Sequence, residues 1–255
     1  MKFQKQVDAN IQNLGHDNKF NSLSCEWIKN SAEFSYSYNF RWMGLPIIQY
    51  PQDIVAMQEL IWSVKPDLII ETGIARGGSL VFSASMLGML EYAEAAEKGA
   101  LLDFAQPKRK VLGIDIDIRA HNRETIEKHP MFSRIEMLEG SSIDEQIIGQ
   151  VRTVAEKHKT VLVCLDSNHT HDHVLAELEA YAPLVSKGSY CVVFDTIVED
   201  LPAEMFTDRP WGKSDNPKTA VHQYLTAHKE FEIDETIHNK LQITVAPDGY
   251  LKRIF

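Results

Sequence analysis

The chain has 255 residues, 44% hydrophobic and 24% charged, enough apolar material to bury the core of one α/β domain. A formal net charge of -10 argues against nonspecific nucleic-acid binding, which needs clustered Lys and Arg, so no nucleic-acid partner is expected. No apolar stretch is long enough to span a bilayer, the N-terminus MKFQKQVDANIQNLGHDNKF carries no apolar signal region, and Cys25, Cys164 and Cys191 read as reduced core thiols. A cytoplasmic enzyme without a membrane span is the expectation.

Residues 1–40 are polar with scattered aromatics (Trp27, Phe34, Tyr36, Tyr38, Phe40) and predict an N-terminal appendage to a domain over 41–255. Pro51 to Val64 spaces Ile54, Val55, Met57, Leu60 and Ile61 as a helix that stops before Pro66. Asp67 to Leu80 then reads as a buried strand ending in an acid, a glycine-rich turn, and the start of a long helix near Gly78 or Ser79 that runs to about Ala100. The alternation continues with a strand at Val111–Asp115, a helix at Ala120–Lys128, a strand at Ile135–Leu138 and a helix at Gln146–Lys157. A strand at Thr160–Leu165, a helix at Val174–Leu184 and a strand at Tyr190–Phe194 follow. Leu241–Val245 and Tyr250–Ile254 read as a closing hairpin around Pro247-Asp248-Gly249. The pattern predicts an α/β fold, a doubly wound sheet with an antiparallel C-terminal edge.

The turn Glu71-Thr72-Gly73-Ile74-Ala75-Arg76-Gly77-Gly78-Ser79 narrows the ligand. A phosphate-cradling loop needs Lys followed by Ser or Thr after its last glycine, and Gly78-Ser79-Leu80 has no lysine. A dinucleotide fingerprint is weakened because Ala75 stands where its second glycine belongs. Glycines 73, 77 and 78 allow close backbone approach, and an acid at the strand end suits a cationic ligand, so S-adenosylmethionine, with its ammonium and sulfonium, fits Glu71, Thr72, Gly73, Gly77, Gly78 and Ser79. The plain alternative is a strand-turn-helix whose glycines serve only the turn.

Ligands of such sheets lie at the carboxyl ends of the strands. Asp115, at the tip of the second strand, suits the two hydroxyls of a ribose, and Gly140, Ser141 and Ser142 would lie near the adenine. The fourth strand delivers Asp166-Ser167-Asn168-His169-Thr170-His171-Asp172-His173 and the fifth Phe194-Asp195-Thr196. Asp166 and Asp195 are oxygen donors of the kind Mg²⁺ or Mn²⁺ prefers, and His169 lies close enough to Asp166 to act as general base or substrate contact. His171 and His173 lack the i, i+4 spacing of a helical zinc pair and are read as helix-terminal or solvent-facing. Trp211 and Lys213, in the turn-rich stretch Arg209 to Pro217, could close over the acceptor, the former stacking and the latter holding an anionic group.

Taken together, Arg41 through Asp53 (RWMGLPIIQYPQD), Glu71-Thr72-Gly73 with Gly77-Gly78-Ser79, Gly113 through Asp117, Leu165 through Thr170 and Phe194-Asp195-Thr196 resemble the cephalosporin hydroxylase family, from about Phe40 to the C-terminal Gly249-Tyr250-Leu251-Lys252-Arg253. The resemblance implies a Rossmann-like fold of class I methyltransferase type and an S-adenosylmethionine-dependent O-methyltransferase. Its acceptor would be a hydroxyl of a sugar, nucleotide-linked sugar or related small molecule, as in antibiotic tailoring or surface-polysaccharide biosynthesis. It also implies Mg²⁺ held by Asp166 and Asp195, with Phe194 departing from the acidic residue found there in members with a full metal site; Glu199, Asp200 or His169 would have to replace it. An NAD-dependent oxidoreductase and a non-catalytic binding protein are the alternatives. The aromatic N-terminal arm and exposed edge strands lead us to expect a homo-oligomer.

Overall fold

The computed structural model describes residues 2–255. Residues 2–32 form a pair of helices, α1 (Lys2–His16) and α2 (Asn18–Ala32), the second capped by the Asp17 carboxylate accepting from Phe20 N. A 3-10 turn (Tyr36–Asn39) leads into a small antiparallel hairpin, β1 (Phe40–Trp42) and β2 (Leu45–Ile47), and then α3 (Pro51–Val64), which starts at its proline as the sequence dictates.

From β3 (Leu68–Thr72) the chain alternates through α4 (Gly78–Lys98), β4 (Lys110–Asp115), α5 (Ala120–Glu127), β5 (Ile135–Glu139), α6 (Glu145–Ala155), β6 (Val161–Leu165), α7 (His171–Tyr181) and β7 (Tyr190–Val193). It closes with α8 (Pro217–Ala227), β8 (Phe231–Ile233), α9 (Glu235–Leu241) and β9 (Tyr250–Arg253). The seven strands of the main sheet run in the order β5-β4-β3-β6-β7-β9-β8. β5, β4, β3, β6 and β7 pair in parallel, whereas β9 is antiparallel to both β7 and β8.

Both faces of the sheet are covered, which is why its central strands carry unbroken apolar runs, Leu68-Ile69-Ile70 in β3 and Val161 to Leu165 in β6, rather than alternating ones. Ile69, Val111 and Leu162 point to a layer containing Ala56, Leu60, Leu80, Ala84 and Leu87 of α3 and α4. Leu68, Ile70, Leu112 and Val163 point to the other layer, with Val151, Leu178, Val221 and Tyr224 of α6, α7 and α8. Chain order reverses at β3, which has β4 on one side and β6 on the other, so the carboxyl ends of these three strands frame the crevice where an α/β sheet takes its ligand.

The expected closing hairpin does not form. Residues 241–245 alternate like a strand, but α9 extends to Leu241, and the backbone turns at Gln242 with φ +61. The next donors go to side chains rather than to a ladder: Val245 N donates to Asp53 Oδ2 at 3.0 Å and Ala246 N to Thr244 Oγ1 at 3.0 Å. Asp53 is fully buried on α3 and also accepts from the Tyr250 hydroxyl at 3.0 Å, a capture no local pattern announces. β9 therefore finds its partners in β7 and in the short β8.

Candidate active site

At the mouth of the β3–α4 turn, Gly77 takes φ +81 as the N-cap of α4, and Gly73 takes φ +88. The space a side chain would need is already filled by protein. A Cβ on Gly73 would lie 2.0 Å from the Asp166 carbonyl oxygen, one on Gly78 2.1 Å from the Pro46 carbonyl oxygen, and one on Gly77 2.4 Å from Ile126 Cγ1. The glycines thus let the turn press against the end of β6 and against the β2 segment, and this contact brings the turn to Asp166. Gly73, Gly78 and Ser79 line an open cavity of about 350 Å³ together with Ile74, Ala75 and Arg76.

Glu71 and Thr72 lie behind that wall. Glu71 is 4% exposed, accepts from Ser79 Oγ, and faces an inner chamber of about 30 Å³ shared with Gln49, Asp53, Asp166 and Phe194. Burial is the larger influence on its carboxyl and pushes it up from 4.5 to about 7, against the opposing Ser79 hydrogen bond. Thr72 is fully buried, and its carbonyl accepts from Asp166 N at 3.0 Å. Gln49, Ser79 and Asp166 line both spaces and connect Glu71 to the open cavity.

Asp115 uses one carboxylate oxygen to accept from Ile74 N at 2.8 Å and Ala75 N at 3.1 Å, and the other to accept from Asp117 N at 3.1 Å. It pins the glycine turn while staying half-buried on the wall of a second cavity, about 120 Å³, that also contains Gly73, Ile116, Ser141, Ser142 and His173. The oxygen that accepts from Asp117 N retains a lone pair for a ligand hydroxyl. His173 is here rather than in solvent: its Nε2 lies 3.1 Å from Ser142 Oγ and 3.2 Å from Ser167 Oγ, and Ser167 Oγ donates to the buried Glu177 at 2.7 Å.

The third group sits where β6 and β7 end. Asp166, His169 and Asp195 place one ligand atom each within 4.8 Å of one another, and all three line the same open cavity as the glycine turn. His169 Nδ1 is 3.0 Å from Asp195 Oδ2. Asp195 adopts φ +55, a left-handed conformation uncommon outside glycine, and so turns its carboxylate toward β6. Asp166 accepts from Gln49 Nε2 at 3.3 Å. Burial first, then the Asp195 and Glu71 carboxylates, push its own carboxyl well above the usual range. Such an excess of close negative charge fits a hard divalent cation, and oxygen donors with one imidazole beside them are suitable ligands. Glu199 and Asp200 do not join: Glu199 accepts from Ser214 N at 2.8 Å and from Asn216 Nδ2 at 2.5 Å, and Asp200 pairs with Lys218 at 2.6 Å.

Glu199 thereby fastens the C-terminal end of a strap, residues 206–216, and at that same end Asp215 accepts from His171 N at 2.7 Å. Trp211 on this strap packs against His169 with ring centroids 4.8 Å apart, and the Arg209 guanidinium lies 5.5 Å from the Trp211 ring. Lys213 is exposed, and neither Trp211 nor Lys213 is among the residues that line the cavity.

Residues 34–254 match the family described as rhamnosyl O-methyltransferase/CmcI. The chain belongs to this family. It is an S-adenosylmethionine-dependent O-methyltransferase with a class I methyltransferase fold, which sets aside the oxidoreductase and non-catalytic alternatives. It is 29% identical over 215 residues to a rhamnosyl O-methyltransferase of Mycobacterium bovis (strain BCG / Pasteur 1173P2), covering 83% of this chain and 77% of that protein. A CmcI structure with magnesium and S-adenosylmethionine superposes with a TM-score of 0.56 at 19% identity, over 86% of this chain and 78% of that one. An O-methyltransferase from Bacillus cereus in complex with SAH superposes with a TM-score of 0.51 at 15% identity, over 82% and 81% of the two chains. At these identities the two structures speak for the fold.

Within this O-methyltransferase, Gln49 and His173 are the site residues that strand-end reasoning passes over. Gln49 follows a hairpin strand outside the main sheet, so no rule about carboxyl ends reaches it; the tract Pro46-Ile47-Ile48-Gln49 was its only signal. His173 is hidden because its partner Ser142 comes from the loop after β5.

The raised Glu71 carboxyl makes a stability prediction. Between pH 4.5 and about 7 the folded state keeps a proton that the unfolded chain has released, so stability falls as pH rises through this window and is level above it. Glu71→Gln removes the penalty and should stabilise the protein by about 1–3 kcal/mol at pH 8 with little effect at pH 4. Thermal unfolding midpoints across a pH series check this; equal midpoints at pH 8 would contradict a buried, raised carboxyl.

Proposed function

We propose that this O-methyltransferase methylates a hydroxyl of a sugar, with Asp166 and Asp195 holding a divalent cation and His169 accepting the proton. The observation that carries the reading is the convergence of Asp166, His169 and Asp195 on the cavity that the glycine turn also lines. The relatives' names, rhamnosyl O-methyltransferase, support the sugar, and the magnesium of the CmcI structure supports the cation.

S-adenosylmethionine supplies a methyl group on a sulfonium. Gly73, Gly77, Gly78 and Ser79 would hold its methionine end, with Thr72 and Glu71 behind them, Asp115 its ribose, and Ser141 and Ser142 its adenine side. A cation, Mg²⁺ or Mn²⁺, when bound, would polarise the acceptor hydroxyl. His169, whose Nδ1 lies 3.0 Å from Asp195 Oδ2, takes the proton as the oxygen–carbon bond forms and the carbon–sulfur bond breaks. Trp211 shields the imidazole on its strap side and limits water. Alignment of donor and acceptor supplies the rest of the acceleration. Trp211 and Lys213 are the strap residues assigned to the acceptor, and since neither lines the cavity the strap would have to shift before either could touch it.

The test is transfer of label from methyl-labelled S-adenosylmethionine to a panel of rhamnosides, free and nucleotide-linked, with mass detection of the product. Failure to label any sugar while S-adenosylhomocysteine binds would remove the acceptor class. A second reading, proton transfer by the Asp195–His169 pair without metal, is favoured by Phe194, which is 6% exposed and apolar beside Asp195. Excess EDTA separates the two. We expect turnover to fall by about tenfold or more and to return with Mg²⁺ or Mn²⁺; full activity in EDTA would leave only the metal-free pair. Assembly into a homo-oligomer and a place in polysaccharide biosynthesis remain parts of the same proposal, open to mass measurement in solution and to the acceptor panel.

A further inference from the structure

One wall of the catalytic cavity comes from the N-terminal appendage. Ser37 and Tyr38 of the 3-10 turn line the same space as Asp166, His169 and Asp195. Tyr38 is 60% exposed, a large aromatic left in the open at the mouth of a polar cavity. Neither the Ser37 nor the Tyr38 hydroxyl has a hydrogen-bond partner among the described residues, although the segment around them is tightly fixed. Tyr36 packs edge-on against Trp27 and Phe40, each at 5.0 Å between ring centroids, and stacks on Tyr50 at 5.8 Å. Tyr50 is in turn held by a 3.2 Å hydrogen bond with Ser31 of α2. A rigid aromatic cluster thus presents a free ring and two free hydroxyls to the reaction space, the arrangement that pays least ordering entropy when a ligand lands on it.

We propose that Tyr38 is the acceptor platform: its ring covers a C–H face of the sugar whose hydroxyl is presented to His169, with Ser37 contributing a hydrogen bond. The chemistry is specific to this ligand class. A pyranose has a face of axial C–H bonds that packs on an aromatic ring and an edge of hydroxyls that do not. Trp211, the large aromatic packed on His169, already has its ring against the imidazole and the Arg209 guanidinium. The consequence is that the helical pair and the turn after it select the acceptor, while the glycine turn and Asp115 serve the cofactor. This inference rests on the sugar-acceptor reading above.

The experiment is saturation-transfer NMR and calorimetry with methyl α-L-rhamnopyranoside on protein saturated with S-adenosylhomocysteine, for wild type, Tyr38→Ala and Tyr38→Phe. Loss of the ring should weaken rhamnoside binding about tenfold, and Tyr38→Phe should stay within about threefold of wild type. S-adenosylhomocysteine affinity and thermal midpoint should be unchanged in both, because Tyr38 is exposed and does not line the cavity of Asp115, Ser141 and Ser142. Wild-type rhamnoside binding equalled by Tyr38→Ala overturns the platform alone. Tyr38→Ala weakening both ligands by the same factor also overturns it, since the residue would then serve the cofactor. A wild type that binds S-adenosylhomocysteine but not the rhamnoside overturns the sugar reading and the platform with it.

Discussion

Asp166→Ala should lower turnover by about 10²–10⁴, because the proposed cation loses a ligand and the acceptor hydroxyl several kcal/mol of polarisation, while S-adenosylhomocysteine still binds with an affinity close to wild type. The separation follows from position. Asp166 faces His169 and Asp195, whereas the proposed contacts for ribose and adenine, Asp115, Ser141 and Ser142, surround a different cavity. The fold should not suffer. The substitution removes a carboxyl that burial and the neighbouring Asp195 and Glu71 already disfavour in its charged form, so the thermal midpoint should hold or rise. Asp166→Asn is the sharper variant: it keeps the Gln49 contact and the volume and removes only the charge. Turnover and calorimetric titration on the same preparations decide the matter. Wild-type turnover in both variants would exclude Asp166 from the chemistry, and parallel loss of cofactor binding would show that it acts on the cofactor side.

Gly73→Ala is expected to be the most damaging single methyl group added to the site. The new Cβ would sit 2.0 Å from the Asp166 carbonyl oxygen and 2.6 Å from its carbonyl carbon, at φ +88. The obstructing atoms are backbone, so no rotamer change relieves them, and either β3's turn or the end of β6 must move. Left-handed strain of about 1–2 kcal/mol and overpacking of about 1–3 kcal/mol act together. Gly188→Ala separates the two contributions, because Gly188 has φ +80 with nothing within 4 Å of its ideal Cβ. Gly188→Ala should therefore lose only the strain, and the difference between the two denaturation free energies reports the steric cost. Displacing the turn also shifts Ile74 N and Ala75 N away from Asp115, so cofactor affinity should fall in Gly73→Ala and not in Gly188→Ala. Equal stability losses would mean that the turn and the β6 end are not in the contact described.

These two glycine and aspartate effects come from one junction, and the sequence displayed its parts without their contact. Glu71-Thr72-Gly73 and Asp166-Ser167 could each be placed at a strand end because apolar runs, turn residues and periodicity are local properties. The order of strands then brings the two tips together at the reversal beside β3. The glycines were legible as backbone necessities, yet the reason for them was not. Their missing side chains make room for Asp166, Ile126 and Pro46, residues remote in sequence. Glu71 was legible as an acid at a strand tip, but its burial behind Ser79, and hence its raised carboxyl, depends on how α4 covers β3.

By itself the sequence determined the alternating sheet-and-helix frame, the glycine turn, and the acids at successive strand ends, since each is written in a few consecutive residues whose period and backbone demands act locally. Tertiary structure alone decided the rest. It withdrew residues 241–245 from the sheet by giving Val245 N to Asp53, set β9 between β7 and β8, and turned His173 toward Ser142. It also carried Tyr38 from an appendage into the cavity of Asp166 and His169. In each case the deciding partner lies far along the chain, and a hydrogen bond or packed contact between distant residues has no signature in the neighbourhood of either one.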